Sequence, residues 1–120
     1  MDAAPDYGVV VDIVSEDGVL YLELANLTDH PALNVACTFE PKLVDLEGRD
    51  VSELALFRRL PFLAPGRRIR TILDSNAGYF AREKAGKVTV AVEYEHAGEG
   101  RRSGRVVHDL EVFRQLTYRA

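Results

Sequence analysis

The segment Lys87–His96, with the sequence KVTVAVEYEH, decides the fold class of this chain. Valine or tyrosine occupies every second position from Val88 to Tyr94, and small or polar residues fill the positions between them. Alternation with a period of two is typical of a β-strand that buries one face. We therefore predict a strand over Lys87–His96, with Val92 and Tyr94 as core anchors.

The same alternation recurs elsewhere, between turns that are rich in Gly, Pro, Asp and Asn. It predicts strands over residues 7–14, 19–26, 33–40, 67–73 and 103–113, and a weaker extended segment over residues 60–66. The third strand is expected to bury Leu33, Val35, Cys37 and Phe39. The capping-box spacing of Asp50 and Glu53 predicts a helical turn, and a short helix is expected near residues 79–84. Asn26 is expected to bridge the turn that follows its strand.

Each predicted strand has a single apolar face, which a second sheet must cover. We therefore predict an all-β fold, an immunoglobulin-like antiparallel β-sandwich of about seven strands with one or two short helical turns. A chain of 120 residues has the length of one domain. We expect a single domain over residues 1–120, with a core over about 7–113 and a C-terminal tail over 114–120.

The composition excludes several classes of protein. The 15 basic and 19 acidic residues give a net charge of −4, which disfavours a nucleic-acid binder. Cys37 is the only cysteine, so no intramolecular disulfide forms. No apolar run is long enough for a membrane helix, and the N-terminus lacks the basic region of a signal peptide. We expect a cytoplasmic protein, or a soluble domain of a membrane-anchored one; its many alanines and few lysines favour a bacterial source.

Three segments carry a resemblance to a known family. They are LELAN at 22–26 with PALNV at 31–35, LPFLAPGRRIR at 60–70, and VTVAVEY at 88–94 with DLEVF at 109–113 and LTY at 116–118. Together they resemble a widespread bacterial immunoglobulin-like domain of unknown function, often found C-terminal to a membrane helix. The resemblance covers most of the chain and implies a fibronectin-like sandwich, with no functional residues. This chain departs from it by lacking the membrane helix and by having His108 where an aliphatic residue is expected.

No motif in the chain indicates catalysis. A GxSxG nucleophile motif is absent, and the three histidines lack HxH or HxxxH spacing. We expect His96 to be exposed, His108 to be partly buried and hydrogen-bonded near a sheet edge, and the two to be neighbours across the last hairpin. Cys37 is expected to be a buried, unreactive side chain. We therefore predict no enzyme, no catalytic, cofactor-binding or metal site, and no cofactor.

Clustered arginines are the one feature of the sequence that points to a possible ligand. Loops gather at the ends of a sandwich, so two clusters converging there would form an anion site. The residues predicted for this site are Arg67, Arg68, Arg70, Arg101 and Arg102. The opposing interpretation is that these arginines keep the turns soluble and pair with Glu99, Glu95 or Asp74.

The first predicted strand is apolar on both faces, with Val10 and Val14 on the second face. A surface strand of a sandwich needs only one apolar face. The chain's own loop 42–66, a partner strand or a second copy of the chain is expected to cover the other. We therefore predict a non-enzymatic protein-interaction or accessory module that binds an unknown protein or forms a homodimer. The alternative is an anion- or nucleotide-sensing domain that uses the arginines.

Overall fold

The structure, a computed structural model, describes residues 6–116. Its strands are β1 Val9–Glu16, β2 Val19–Asn26, β3 Ala32–Glu40, β4 Leu60–Leu63, β5 Arg68–Ser75, β6 Lys87–His96 and β7 Gly100–Asp109. Its helices are α1 Ala55–Arg58, α2 Asn76–Ala81 and α3 Glu111–Arg114, and a 3₁₀ turn spans Val51–Glu53. Residues 117–120 of the predicted tail lie outside the described residues.

The strands form two antiparallel sheets. The three-stranded sheet has the order β1-β2-β5, and the four-stranded sheet has the order β4-β3-β6-β7. The predicted all-β sandwich of about seven strands with short helices is therefore confirmed. β1 packs against β6 and β7, so the inner faces of the two sheets enclose one core.

The core follows from the alternation seen in the sequence. β2 contributes three leucines, Leu20, Leu22 and Leu24, whose side chains are fully buried. β6 faces them with Val88, Val90, Val92 and Tyr94, all buried. Each of these aliphatic side chains stabilises the fold by about 1.5–3 kcal/mol when it is fully removed from water.

The bounds of β1 and one face of β3 differ from the prediction. β1 begins at Val9 and ends at Glu16, two residues later at each end than predicted. In β3 the predicted inward residue Leu33 is only partly buried, and Ala32 is buried instead. The cause is Asn34, which has a φ of 50° and lies within a shift of the β3–β6 register. This bulge changes which residues face inward on either side of it.

The last strand is shorter than predicted. β7 ends at Asp109, and the next residues turn into α3 instead of extending the strand to 113. Leu110 is fully buried, whereas Val112 lies on α3 and is 56% exposed. The Asp109 carboxylate accepts a hydrogen bond from the Glu111 backbone N–H at 3.0 Å, which favours the turn into the helix.

Residues 51–58 of loop 42–66 pack on the four-stranded sheet. Phe57 of α1 is fully buried, and its ring lies 5.1 Å from that of Phe39 in β3. The predicted helical turn is present, and Asp50 begins it as a 3₁₀ turn by accepting a hydrogen bond from the Ser52 N–H at 3.0 Å. Val10 and Val14 of β1 remain only partly buried.

None of the helices within residues 6–116 has the length and hydrophobicity needed to cross a membrane.

Candidate binding surface

The outer face of the three-stranded sheet carries one of the two predicted arginine clusters. The strand register places three rows across this face. They are Val10–Ala25–Arg68, Asp12–Glu23–Arg70 and Val14–Tyr21–Ile72. We call these nine residues the outer face. It therefore combines two arginines of the predicted anion site with both valines of the predicted interface.

Glu23 binds both arginines of the outer face. Its Oε1 accepts a hydrogen bond from Arg68 Nη1 at 2.8 Å, and its Oε2 accepts one from Arg70 Nε at 2.7 Å. Glu23 is only 6% exposed although it points away from the core. Hydrogen bonds from Arg70 and Arg68 outweigh the cost of burial and lower the pKa of Glu23. Glu23 thus pairs with both arginines, and its single negative charge balances one of their two positive charges.

Arg70 makes further contacts that hold it flat against the sheet. Its Nη1 donates to Glu16 Oε2 at 2.7 Å, and its guanidinium lies 5.0 Å from the centre of the Tyr21 ring. That distance is within the range of a cation–π contact. The hydrogen bonds from Glu23 and Glu16 raise the pKa of Arg70. Arg70 therefore serves to cover Tyr21 and Glu23 and is not left as a free cation.

Apolar side chains flank this neutralised centre. Val10, Val14 and Tyr21 are partly exposed, and Ile72 is 46% exposed. Beside β5 lies a groove of about 330 Å³. It is lined by Arg70, Thr71 and Ile72 of β5 and by Asp45, Leu46, Glu47 and Arg49 of loop 42–66. The outer face is therefore a mixed surface of apolar side chains and paired charges.

The second predicted cluster lies on the other sheet. Arg101 pairs with Glu93 at 3.2 Å, and Arg102 pairs with Glu99 at 2.7 Å. Because β5 and β7 belong to different sheets and the two clusters share no partner, the structure does not bring them together. Arg67, in the turn before β5, has no ion pair among the described residues. The expected pairings with Glu99 and Glu95 are both present, the latter to Arg101 at 3.9 Å, whereas Asp74 binds Arg82 and Lys84 instead.

The edge of β1 is closed by side chains. His108 Nε2 lies 2.8 Å from the Val11 carbonyl oxygen, as expected for a histidine near a sheet edge. The Asp12 carboxylate accepts a hydrogen bond from the Ile13 N–H at 2.9 Å. These bonds occupy backbone groups that would otherwise be available to a partner strand.

The histidines are arranged differently from the prediction. His96 is buried, with 9% exposed, and its register partner in the last hairpin is Gly100, so its predicted exposure and proximity to His108 are wrong. Its ring centre lies 4.8 Å from that of His30. Within residues 6–116, no group of three or more His, Cys, Asp or Glu side chains is placed to hold a metal ion.

Cys37 has the environment that the sequence predicts. It is 3% exposed on the inner face of β3, and burial raises the pKa of its thiol to about 12. A thiol with so high a pKa carries almost no thiolate at neutral pH and is a poor nucleophile.

Comparison with known families assigns the chain to one of them. The family model described as a domain of unknown function, DUF8453, matches residues 3–114. The chain belongs to the DUF8453 family. The match covers every strand of the sandwich, so the family corresponds to this fold as a whole. None of the curated proteins matches the chain.

Sequence reasoning missed the role of Glu23. Nothing in the local sequence of β2 marks Glu23 as a residue that pairs with two arginines. The partners of Glu23 are 45 and 47 residues further along the chain. Only the pairing of β2 with β5 brings them together, and no local motif records that pairing.

Proposed function

We propose that this chain is a non-enzymatic protein-interaction module, an immunoglobulin-like sandwich that presents its outer face to a protein partner. The supporting observation is that the charges of this face are paired while its apolar side chains stay partly exposed. Glu23 pairs with both Arg68 and Arg70 and Glu16 pairs with Arg70, while Val10, Val14 and Ile72 stay partly exposed. A surface with paired charges and uncovered apolar groups suits a protein better than a small anion.

The composition of the outer face agrees with this proposal. Protein interfaces are enriched in tyrosine and arginine, and their centres are depleted of unpaired charge. Within this face the Arg70 guanidinium lies over the Tyr21 ring, 5.0 Å from the ring centre. Burying Val10, Val14 and Ile72 against a partner would contribute several kcal/mol, about 25 cal/mol for each Å² of apolar surface removed from water. After the cost of association, this supports binding of moderate strength.

The proposal includes a bacterial, cytoplasmic setting, either as a free domain or as the soluble part of a membrane-anchored protein. The alternative function is an anion- or nucleotide-sensing domain. Its support is Arg67, which is exposed and lacks an ion pair among the described residues. Against it, both remaining arginines of that cluster already bind Glu23.

Quantitative affinity capture from the native host tests the proposal. Three baits are compared: the wild type, Val14→Glu on the outer face, and Thr38→Glu on the exposed face of the other sheet. We expect one or a few proteins to be retained by the wild type and by Thr38→Glu and lost with Val14→Glu, while thermal melting shows all three to be folded. Equal retention by both variants would exclude the outer face as the binding surface.

A further inference from the structure

We propose that two copies of this chain associate through the edge of β7, antiparallel and centred on Val107, to form one continuous sheet of eight strands. This inference goes beyond the proposed function and does not depend on it, because β7 belongs to the four-stranded sheet and lies outside the outer face. It rests on the backbone geometry of the edge and on the side chains that the edge presents.

Two hydrogen bonds establish which backbone groups of β7 point away from the sheet. The Leu110 N–H donates to the Gly86 carbonyl at 2.7 Å, which continues the β6–β7 ladder. The Ser103 carbonyl accepts from the Asp6 N–H at 3.1 Å, on the opposite side. Alternate residues of an antiparallel strand direct their backbone groups to the same neighbour. The N–H and C=O groups of Arg105, Val107 and Asp109 therefore point to the free edge, like the Ser103 carbonyl.

This stretch of edge lacks the protection that the edges of β1 and β4 have. Side chains occupy backbone groups of β1, and β4 has only four residues and contains Pro61. Over the part of the chain that the structure describes, no group forms a hydrogen bond to the outward backbone of Arg105, Val107 or Asp109. An unprotected edge strand is a template for pairing with another strand.

The side chains of this stretch complement a second copy in one register. Antiparallel pairing centred on Val107 places Val107 opposite its own copy and Arg105 opposite Asp109 of the partner. Val107 is 62% exposed, and Arg105 has no ion pair among the described residues. Directly opposed side chains on one face lie about 4.5–5.5 Å apart. The register therefore joins two apolar side chains and forms two new ion pairs.

The same register satisfies the backbone. Because Arg105, Val107 and Asp109 all direct their N–H and C=O groups outward, each pair in this register is a hydrogen-bonded pair. Shifting the register by one residue would oppose an outward group to an inward one and lose these bonds. The contact is short, so the dimer is expected to be weak and to depend on protein concentration.

Sedimentation velocity over a concentration series up to millimolar tests the inference. We expect the wild type to show a concentration-dependent monomer–dimer equilibrium. Arg105→Glu turns both ion pairs into repulsions and should weaken the dimer about tenfold. The double variant R105E/D109R restores opposite charges and should recover the dimer. Arg58→Glu is the matched control, because Arg58 is another exposed arginine without an ion pair among the described residues, and it should leave the dimer unchanged.

A proline variant tests whether loss of the dimer comes from a blocked strand edge and not from unfolding. The N–H of Val107 points away from β6, so Val107→Pro removes no hydrogen bond within the sheet. We expect Val107→Pro to melt cooperatively like the wild type and to sediment as a monomer. A monomeric wild type, equal dimerisation of R105E and the double variant, or a dimeric Val107→Pro would overturn the inference.

Discussion

The carboxylate of Glu23 and the guanidinium of Arg70 meet 2.7 Å apart on the outer face, although they come from strands that lie 47 residues apart in sequence. The same carboxylate binds Arg68 at 2.8 Å. This pairing explains how a largely buried carboxylate is tolerated away from the core, because buried charges persist when they are paired and hydrogen-bonded. Because of this pairing, neither Arg68 nor Arg70 is a free cation.

Replacing Glu23 tests the strength of this network. Glu23→Gln leaves both arginines without their shared counter-ion and should lower the free energy of unfolding by about 1–2 kcal/mol at pH 7. This is less than the roughly 3–5 kcal/mol typical of a broken buried pair, because Arg68 and Arg70 are partly exposed to water. Urea denaturation measures the change, and Glu95→Gln, which lies 3.9 Å from Arg101, is a control with little expected effect.

The stability of the domain should also depend on pH through Glu23. Its pKa is lower in the folded protein than in the unfolded chain, where a glutamate titrates near about 4.3. The contribution of Glu23 is therefore fully present above that value and is lost as the pH falls through the folded pKa. Denaturation between pH 7 and pH 3 should show a smaller loss of stability for Glu23→Gln than for the wild type. Identical slopes for the two proteins would contradict the role assigned to Glu23.

Two substitutions in β6 compare its two faces. Val92→Ala removes buried methyl groups from a side chain that is 4% exposed and should destabilise the domain by about 1–3 kcal/mol. Thr89→Ala lies on the opposite face, which is partly exposed, and should have a much smaller effect. Thermal melting distinguishes them, and equal effects would show that β6 does not bury a single face.

Cys37 offers a chemical test of the core. A thiol reagent should react slowly with Cys37 in the native protein and rapidly in denaturant, because the thiol is buried and its pKa is raised to about 12. Cys37→Phe should overpack the core at a cost of about 1–3 kcal/mol. Rapid labelling of the native protein would mean that β3 exposes this residue.

The anion-sensing alternative predicts a distinct signal from the arginines. If Arg68 and Arg70 are held by Glu23, their Nε–H resonances in ¹⁵N-labelled protein should not shift when ATP or pyrophosphate is added. In Glu23→Gln the same resonances should become sensitive to anions, which serves as the positive control. Saturable shifts in the wild type would favour an anion-binding function.

Local patterns were sufficient to predict much of the fold. The bounds of β2 and β6 match the alternation of their residues. Asn26 bridges its turn as expected, with its side-chain amide donating to the His30 and Leu63 carbonyls at 2.9 and 3.0 Å. In such segments the local pattern and the final structure agree, so the sequence is informative.

One error arises from a shift in strand register and the other from a local hydrogen bond that the alternation does not reveal. The bulge at Asn34 changes the facing of Leu33, and the hydrogen bond between Asp109 and Glu111 ends β7 earlier than the alternation suggests. The candidate site could be predicted only in part. The arginines and Val10 and Val14 stand out in the sequence, but their meeting on one face depends on strand register, which no short motif specifies.

Site-specific photo-crosslinking in the native host tests the proposed function most directly. A photoreactive amino acid replaces Val14 on the outer face or, as a matched control, the exposed residue Thr38 on the other sheet. The proposed function predicts a discrete covalent adduct with a protein from position 14, none from position 38, and loss of the adduct when Ile72→Glu is added. Adducts of equal yield from both positions, or none from position 14, would contradict the assignment of the outer face as a protein-binding surface.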